Sequence, residues 1–240
     1  MRTLLAIALP LLASCASDSD ELGTDPETAK QIAMSIASTL RPVAGGGELG
    51  AMLDAAALVR GELPAGLERD VEEDSTVRGQ RAGFSFRYEV ECRNDHNVGR
   101  ACDLRTENAD VDATWSAVLA NSAFVMVSTR EGAWVLNDIT AERMRLDGES
   151  HFEYASRVVA TDEGHTLSYD ASYRNVVLMR GERWPRGGLV RYELAVDDAS
   201  EGAMTTRAEA QFHASGRATI VLPDHAFDLD LSTGVVRDAQ

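Results

Sequence analysis

The 240-residue sequence contains a single lysine, Lys30, and its other basic side chains are arginines. Acidic residues outnumber basic ones by 39 to 23, which gives a formal net charge of −16. Such a surface repels nucleic acid and anionic lipid head groups at long range, so neither is expected as a partner. No apolar run approaches the ~20 residues that a membrane-crossing helix needs; the stretch from Leu4 to Leu12 is less than half as long. The catalytic signatures are missing as well. None of the five histidines forms His-x-x-x-His or His-Glu-x-x-His, and Gly148-Glu149-Ser150 does not complete a nucleophile elbow. Gly45 to Gly47 is not followed by the Gly-Lys-Ser/Thr of a phosphate loop. Asp228, Asp230 and Ser232 begin like a calcium loop, but the glycine comes one place late at Gly234, and Ala239 stands where the last ligand should be. Carboxylates are too abundant for any pair to stand out as glycosidase-like. No metal and no cofactor is expected.

What the sequence does have begins at its start. Arg2 is followed by the short apolar stretch Leu4 to Leu12, the pattern of a secretory leader. It ends in Leu12-Ala13-Ser14-Cys15. That run resembles the lipobox of bacterial lipoproteins: an aliphatic residue, two small residues and a cysteine. The resemblance implies that Cys15 is lipidated, that the peptide is cut before it, and that the fatty acyl chains fix the protein to a membrane. Each buried methylene contributes about 0.8 kcal/mol to such an anchor. Ala16, rather than aspartate, follows the cysteine, which in that class implies the outer membrane. The expected location is therefore the cell envelope, with the membrane as partner through Cys15.

Residues 1–14 are read as the removed leader and 15–23, rich in Ser and Asp, as a flexible tether. A helical segment is expected over 24–80. Thr24 or Asp25 can cap its first helix, with Pro26 in the first turn and Glu27 at the positive end of the dipole. Ile32, Ile36 and Leu40 make a narrow apolar stripe that ends at Arg41-Pro42, and the face carrying Phe84, Phe86 and Tyr88 is the partner expected to cover it. Leu49, Met52, Leu53, Ala56 and Val59 suggest a second helix.

From Arg81 the apolar period changes to two. Phe84, Phe86, Tyr88, Val90 and Cys92 alternate with polar residues, as do Val190 to Val196, Met204 to Phe212 and Phe227 to Leu231. Trp115, the pair Phe124 and Met126, and the pair Trp134 and Leu136 read as three successive strands. Asp147-Gly148, Glu163-Gly164, Gly187-Gly188, Ser215-Gly216 and Pro223-Asp224 read as turns. No helical crossover interrupts them. The expected fold is mainly β: a curved antiparallel meander or partly closed barrel over 81–240, with one or two N-terminal helices packed on it. The runs RWPRGGLVRYELAV, FHASGRATIVL and FDLDLSTGVV resemble the closing hairpins of large, uncharacterised β-rich bacterial lipoproteins, a likeness that implies no activity.

Cys92 and Cys102 flank a loop containing His96 and Asn97-Val98-Gly99. In an exported protein they are expected to form a disulfide, with a metal site that includes His96 as the rival. Arg180, Arg183 and Arg186 surround Trp184 on an otherwise acidic chain. They make a candidate patch for a sugar or polyanion, or simply a turn whose tryptophan closes the core. The function read from the sequence is that of a non-enzymatic structural or interaction protein of the cell envelope. Two alternatives stand beside it: a carrier sheltering a lipid or other apolar ligand in the curved sheet, and a hydrolase whose residues meet only in the fold.

Overall fold

The computed structural model of the chain describes residues 25–40, 47–70, 75–81, 83–93, 102, 106–160, 164–198 and 202–239. The leader, Cys15 and the tether lie outside the described residues, as does His96.

Helix α1 (Pro26–Thr39) starts where the sequence predicts. Asp25 caps it, its Oδ1 accepting the N–H groups of Glu27 at 3.0 Å and Thr28 at 3.1 Å. Its stripe of Ile32, Ile36 and Leu40, with Ala29, Ala33 and Ala37, is buried. Helix α2 (Glu48–Leu58) buries Leu49, Ala51, Met52, Ala55, Ala56 and Leu58. Neither of these helices is long and apolar enough to cross a membrane.

Twelve strands follow: β1 (Leu67–Arg69), β2 (Thr76–Arg81), β3 (Phe84–Arg93), β4 (Asn108–Ala120), β5 (Phe124–Asn137), β6 (Arg143–Val158), β7 (Gly164–Met179), β8 (Gly187–Asp198), β9 (Gly202–His213), β10 (Arg217–Val221), β11 (Ala226–Asp230) and β12 (Val235–Asp238). They form one antiparallel sheet in sequence order, with every strand hydrogen-bonded to its chain neighbours. The sheet is a meander, as expected, and it remains open, with β1 and β12 as its edges.

Five details differ from the sequence reading. Gly187-Gly188 is not a turn but opens β8, where Gly187 pairs with Val177. β1 and β2 belong to the sheet although they fall inside the stretch read as helical, so the sheet begins before residue 81. Phe124 to Leu136 is one strand, β5, not two. Alternation runs through it without a break, but two of its inward positions, Ser128 and Arg130, are polar. Asp147-Gly148 is not a turn but a bulge inside β6, where the register to β7 shifts. Gly148 has φ 147°, and a Cβ there would fall 2.2 Å from the Ala133 carbonyl oxygen. Finally, the Phe86 and Tyr88 face receives α2, not α1. Asp54 of α2 accepts hydrogen bonds from Arg81 and from Tyr88, the latter at 3.1 Å, whereas α1 lies against β11 and β12.

One face of the sheet carries the core and holds both helices. Trp115, Trp134, Leu136, Leu146, Tyr192, Phe212 and Ile220 are among its buried members. Ile36 is buried in the same cluster. Ile36→Ala is therefore expected to leave a cavity and to lower unfolding free energy by about 2–5 kcal/mol, read from urea midpoints. An unchanged midpoint would mean that α1 does not pack permanently.

Candidate functional site

Three cross-strand rows in the middle of the core face build an unusual place. One row runs Trp115, Arg130, Phe152, Tyr169 and Leu194. The next runs Ala113, Gly132, Ser150, Ala171 and Tyr192. The third holds Val111, Trp134, Gly148, Tyr173 and Val190. The small residues of the middle row leave a trough between two aromatic ridges, and the first turn of α2 fills it.

The group that enters the trough is the Glu48 carboxylate, which is 0% exposed. Its Oε1 accepts from the Tyr173 hydroxyl and lies 3.4 Å from Ser150 Oγ. Its Oε2 accepts from Tyr192 at 2.9 Å and from Thr39 of α1 at 3.4 Å. Ser150 and Tyr173 are also linked to each other at 2.7 Å. Arg130, 2% exposed, brings the opposite charge, with Nη1 3.9 Å from Glu48 Oε1. Its Nη2 donates to the Tyr169 hydroxyl. The guanidinium carbon lies 4.7 Å from the ring centres of both Trp115 and Phe152 and 5.3 Å from that of Tyr169, so the cation is held largely by aromatic faces. Nε and Nη1 of Arg130 have no hydrogen-bond acceptor among the described residues.

Burial pushes the Tyr173 and Tyr192 hydroxyls well above the usual tyrosine range, and the Glu48 charge pushes them further. Burial also raises Tyr169, with Arg130 opposing it. All three therefore remain protonated donors. Burial alone would push the Arg130 guanidinium down, but Tyr169 and Glu48 outweigh it, and the net direction is up. The cluster is thus a charged pair enclosed by hydroxyls and rings. With four hydroxyls near its two oxygens and no exposure to solvent, Glu48 ties α2 to the sheet. A second, smaller lock joins Asp54 to Arg81 and Tyr88, where burial and then Asp54 raise the tyrosine.

Behind the same rows, the opposite face of the sheet dips into a cleft of about 600 Å³. Its walls include Glu131, Glu149, His151, Asp170 and Arg191. Here His151 stands in a cleft beside carboxylates. Its Nδ1 is 2.8 Å from Asp170 and its Nε2 is 3.4 Å from Glu153. The Asp170 hydrogen bond raises its pKa, so its charged form is favoured. Both ring nitrogens face carboxylates, which leaves neither to activate a nucleophile.

Cys92 and Cys102 are joined by a disulfide. It closes a short loop, a constraint contributing about 2–3 kcal/mol in the chain-entropy description. Among the described residues, no group of three or more His, Cys, Asp or Glu side chains is arranged to hold a metal ion. Asp230 turns back on its own backbone, accepting from the N–H groups of Ser232 at 2.8 Å and Thr233 at 3.2 Å. His213 is exposed, with Nε2 2.9 Å from the Thr219 hydroxyl.

The arginine patch is brought together only in part. Arg183, Trp184 and Arg186 line one cleft, of about 280 Å³, with Glu182 and the β9–β10 turn. Arg186 is forked to Glu182, its Nε donating at 2.7 Å. Arg180 is not in that lining; it stands near Arg60, and burial followed by the Arg180 charge disfavours the charged form of Arg60.

Sequence reasoning missed Glu48 and Arg130. The available signal was parity: Arg130 shares the inward register of Trp134 and Leu136, where a charge needs a buried partner. In comparisons with known proteins, no family model, no curated protein and no solved structure matches the chain.

Proposed function

We propose that this chain is an exported lipoprotein, anchored to the cell envelope through Cys15, that acts as a non-enzymatic structural or interaction protein. The body of the reading rests on one observation. The core face of the sheet, where a carrier would hold its ligand, is occupied by the chain's own helices, and Glu48 ties α2 into the middle of that face. Lifting α2 as a lid would draw Glu48 away from Arg130 and leave that cation buried and unpaired, which costs several kcal/mol. What the molecule presents outward is an acidic sheet face carrying Asp112, Glu131, Glu149, Asp170 and Glu193. The anchor rests on the Leu12-Ala13-Ser14-Cys15 run alone.

Two measurements test the reading. Cys15→Ser is expected to give protein that is unprocessed or soluble and that incorporates no labelled fatty acid; a variant that still labels and sediments with membranes would remove the anchor from the proposal. The native protein is expected to show no saturable uptake of 1-N-phenylnaphthylamine. Stoichiometric uptake by the folded state would make it a carrier instead.

A further inference from the structure

The β7–β8 turn carries a basic and aromatic corner on an acidic molecule, and the envelope reading gives it no task. Trp115 and Trp134 are buried, whereas Trp184 is only partly covered. Its indole forms one wall of the 280 Å³ cleft, and the β9–β10 turn forms another. The two walls come together because residue 216 is glycine. Gly216 has φ 72°, and a Cβ there would sit 3.2 Å from the indole Cδ1 and Cγ. The Gly216 carbonyl is fixed in turn by the N–H of Leu231 at 2.9 Å, so the turn is held in place by the next hairpin.

The polar side of the cleft is equally defined. Glu182 and Arg186 form a closed fork whose outer lone pairs and N–H groups suit hydroxyls in one plane. Arg183 is exposed, and its guanidinium has no hydrogen-bond or ion-pair partner among the described residues. A flat apolar wall, a donor–acceptor fork and a free cation match the three parts of an acidic sugar: its C–H face, its ring hydroxyls and its anionic group. The volume of about 280 Å³ falls just below the range of drug-sized sites, which begins at about 300 Å³, and suits one ring rather than a buried chain. Positive charge concentrated here would also steer an anion past the repulsion of the remaining surface.

We propose that the cleft between the β7–β8 and β9–β10 turns binds a saccharide unit carrying a carboxylate or phosphate, with Trp184 as the stacking wall and Arg183 as the charge partner. The site is independent of how the chain is anchored.

Tryptophan fluorescence of the purified full-length protein tests this, since Trp184 is the partly exposed one of the three indoles. The probes are trigalacturonate, its methyl ester, glucose 6-phosphate and inorganic phosphate. A saturable change with trigalacturonate or glucose 6-phosphate is expected, with at least tenfold weaker binding of the ester. Arg183→Glu, at an exposed turn position, should weaken the anionic sugar at least tenfold while leaving the thermal midpoint unchanged. Trp184→Phe should remove most of the signal, with binding then followed by calorimetry. No saturable response to either anionic sugar would overturn the proposal, and so would full affinity in Arg183→Glu. Equal binding of the methyl ester would remove the charge partner from it. Equal binding of inorganic phosphate would remove the sugar.

Discussion

Glu48→Ala is expected to lower the free energy of unfolding by about 3–5 kcal/mol, the range for breaking a buried ion pair from one side. Native domains have only about 5–15 kcal/mol in all, so the variant should be close to unfolding at room temperature. The loss arises on the partners left behind. Arg130 would keep its charge in an enclosure of Trp115, Phe152 and Tyr169, with no anion within reach. The hydroxyls of Tyr173 and Tyr192 would lose their acceptor, whereas Ser150 keeps Tyr173 and Thr39 keeps the Ile36 carbonyl. An unsatisfied buried group costs about 1–3 kcal/mol, but these act as one network and their costs do not add. The double variant Glu48→Leu, Arg130→Met should therefore recover much of the loss, because an apolar pair in place of a buried ion pair is often neutral. Urea midpoints at constant slope measure both. A loss below about 1 kcal/mol in Glu48→Ala would show that the cluster is not closed in solution.

Alkali should unfold the protein steeply. Tyr88, Tyr169, Tyr173 and Tyr192 all have folded-state pKa values raised by burial. In the unfolded chain a tyrosine ionises near 10. Below that pH both states hold the proton, and the full stability is present. Above it the unfolded state releases protons that the folded state keeps, so stability falls as pH rises. Each tyrosine contributes about 1.4 kcal/mol per pH unit in that window. For four, the loss at pH 11 is about 5–6 kcal/mol, enough to empty the native state or nearly so. Phenolate absorbance at 295 nm should show native protein at pH 10.5–11 lagging urea-unfolded protein by up to four groups, until the fold gives way. Tyr192→Phe should reduce the steepness by about a quarter. A native titration that matches the unfolded one would contradict the burial of these hydroxyls.

The sheet was legible wherever one face is apolar and the other polar, as in Phe84 to Cys92 and Phe227 to Leu231, because alternation is a local property of the chain. The centre of the molecule was not legible, because it breaks that rule. Arg130 and Ser128 occupy inward positions of β5, so a 14-residue strand read as two shorter ones. The partner of Arg130 is Glu48, far away in sequence and placed by a helix with no side-chain cap. No local pattern records such a pairing. The docking of α1 was misassigned for a related reason. Its stripe specifies that it must be covered but not by which strands, and β11 and β12, which cover it, lie near the other end of the chain, where no local pattern reaches. The Trp184 corner was visible as composition, but the Gly216 turn that makes it a cleft lies in another hairpin.

The taper of the sheet has a consequence for how these molecules behave together. An open sheet ends in rows of unpaired backbone groups that a second chain could extend, and long flat edges are the route to fibrils. Here the strands run to 16 residues at the centre, in β6 and β7, and shrink to three in β1 and four in β12. An incoming strand would therefore find only a few hydrogen bonds at either margin, too few to offset its ordering entropy. Clipping β12 would uncover β11, which has only five residues, so proteolysis of the C-terminus would not convert the sheet into a template. The molecule can be crowded side by side without polymerising, because its longest strands are the ones no neighbour can reach.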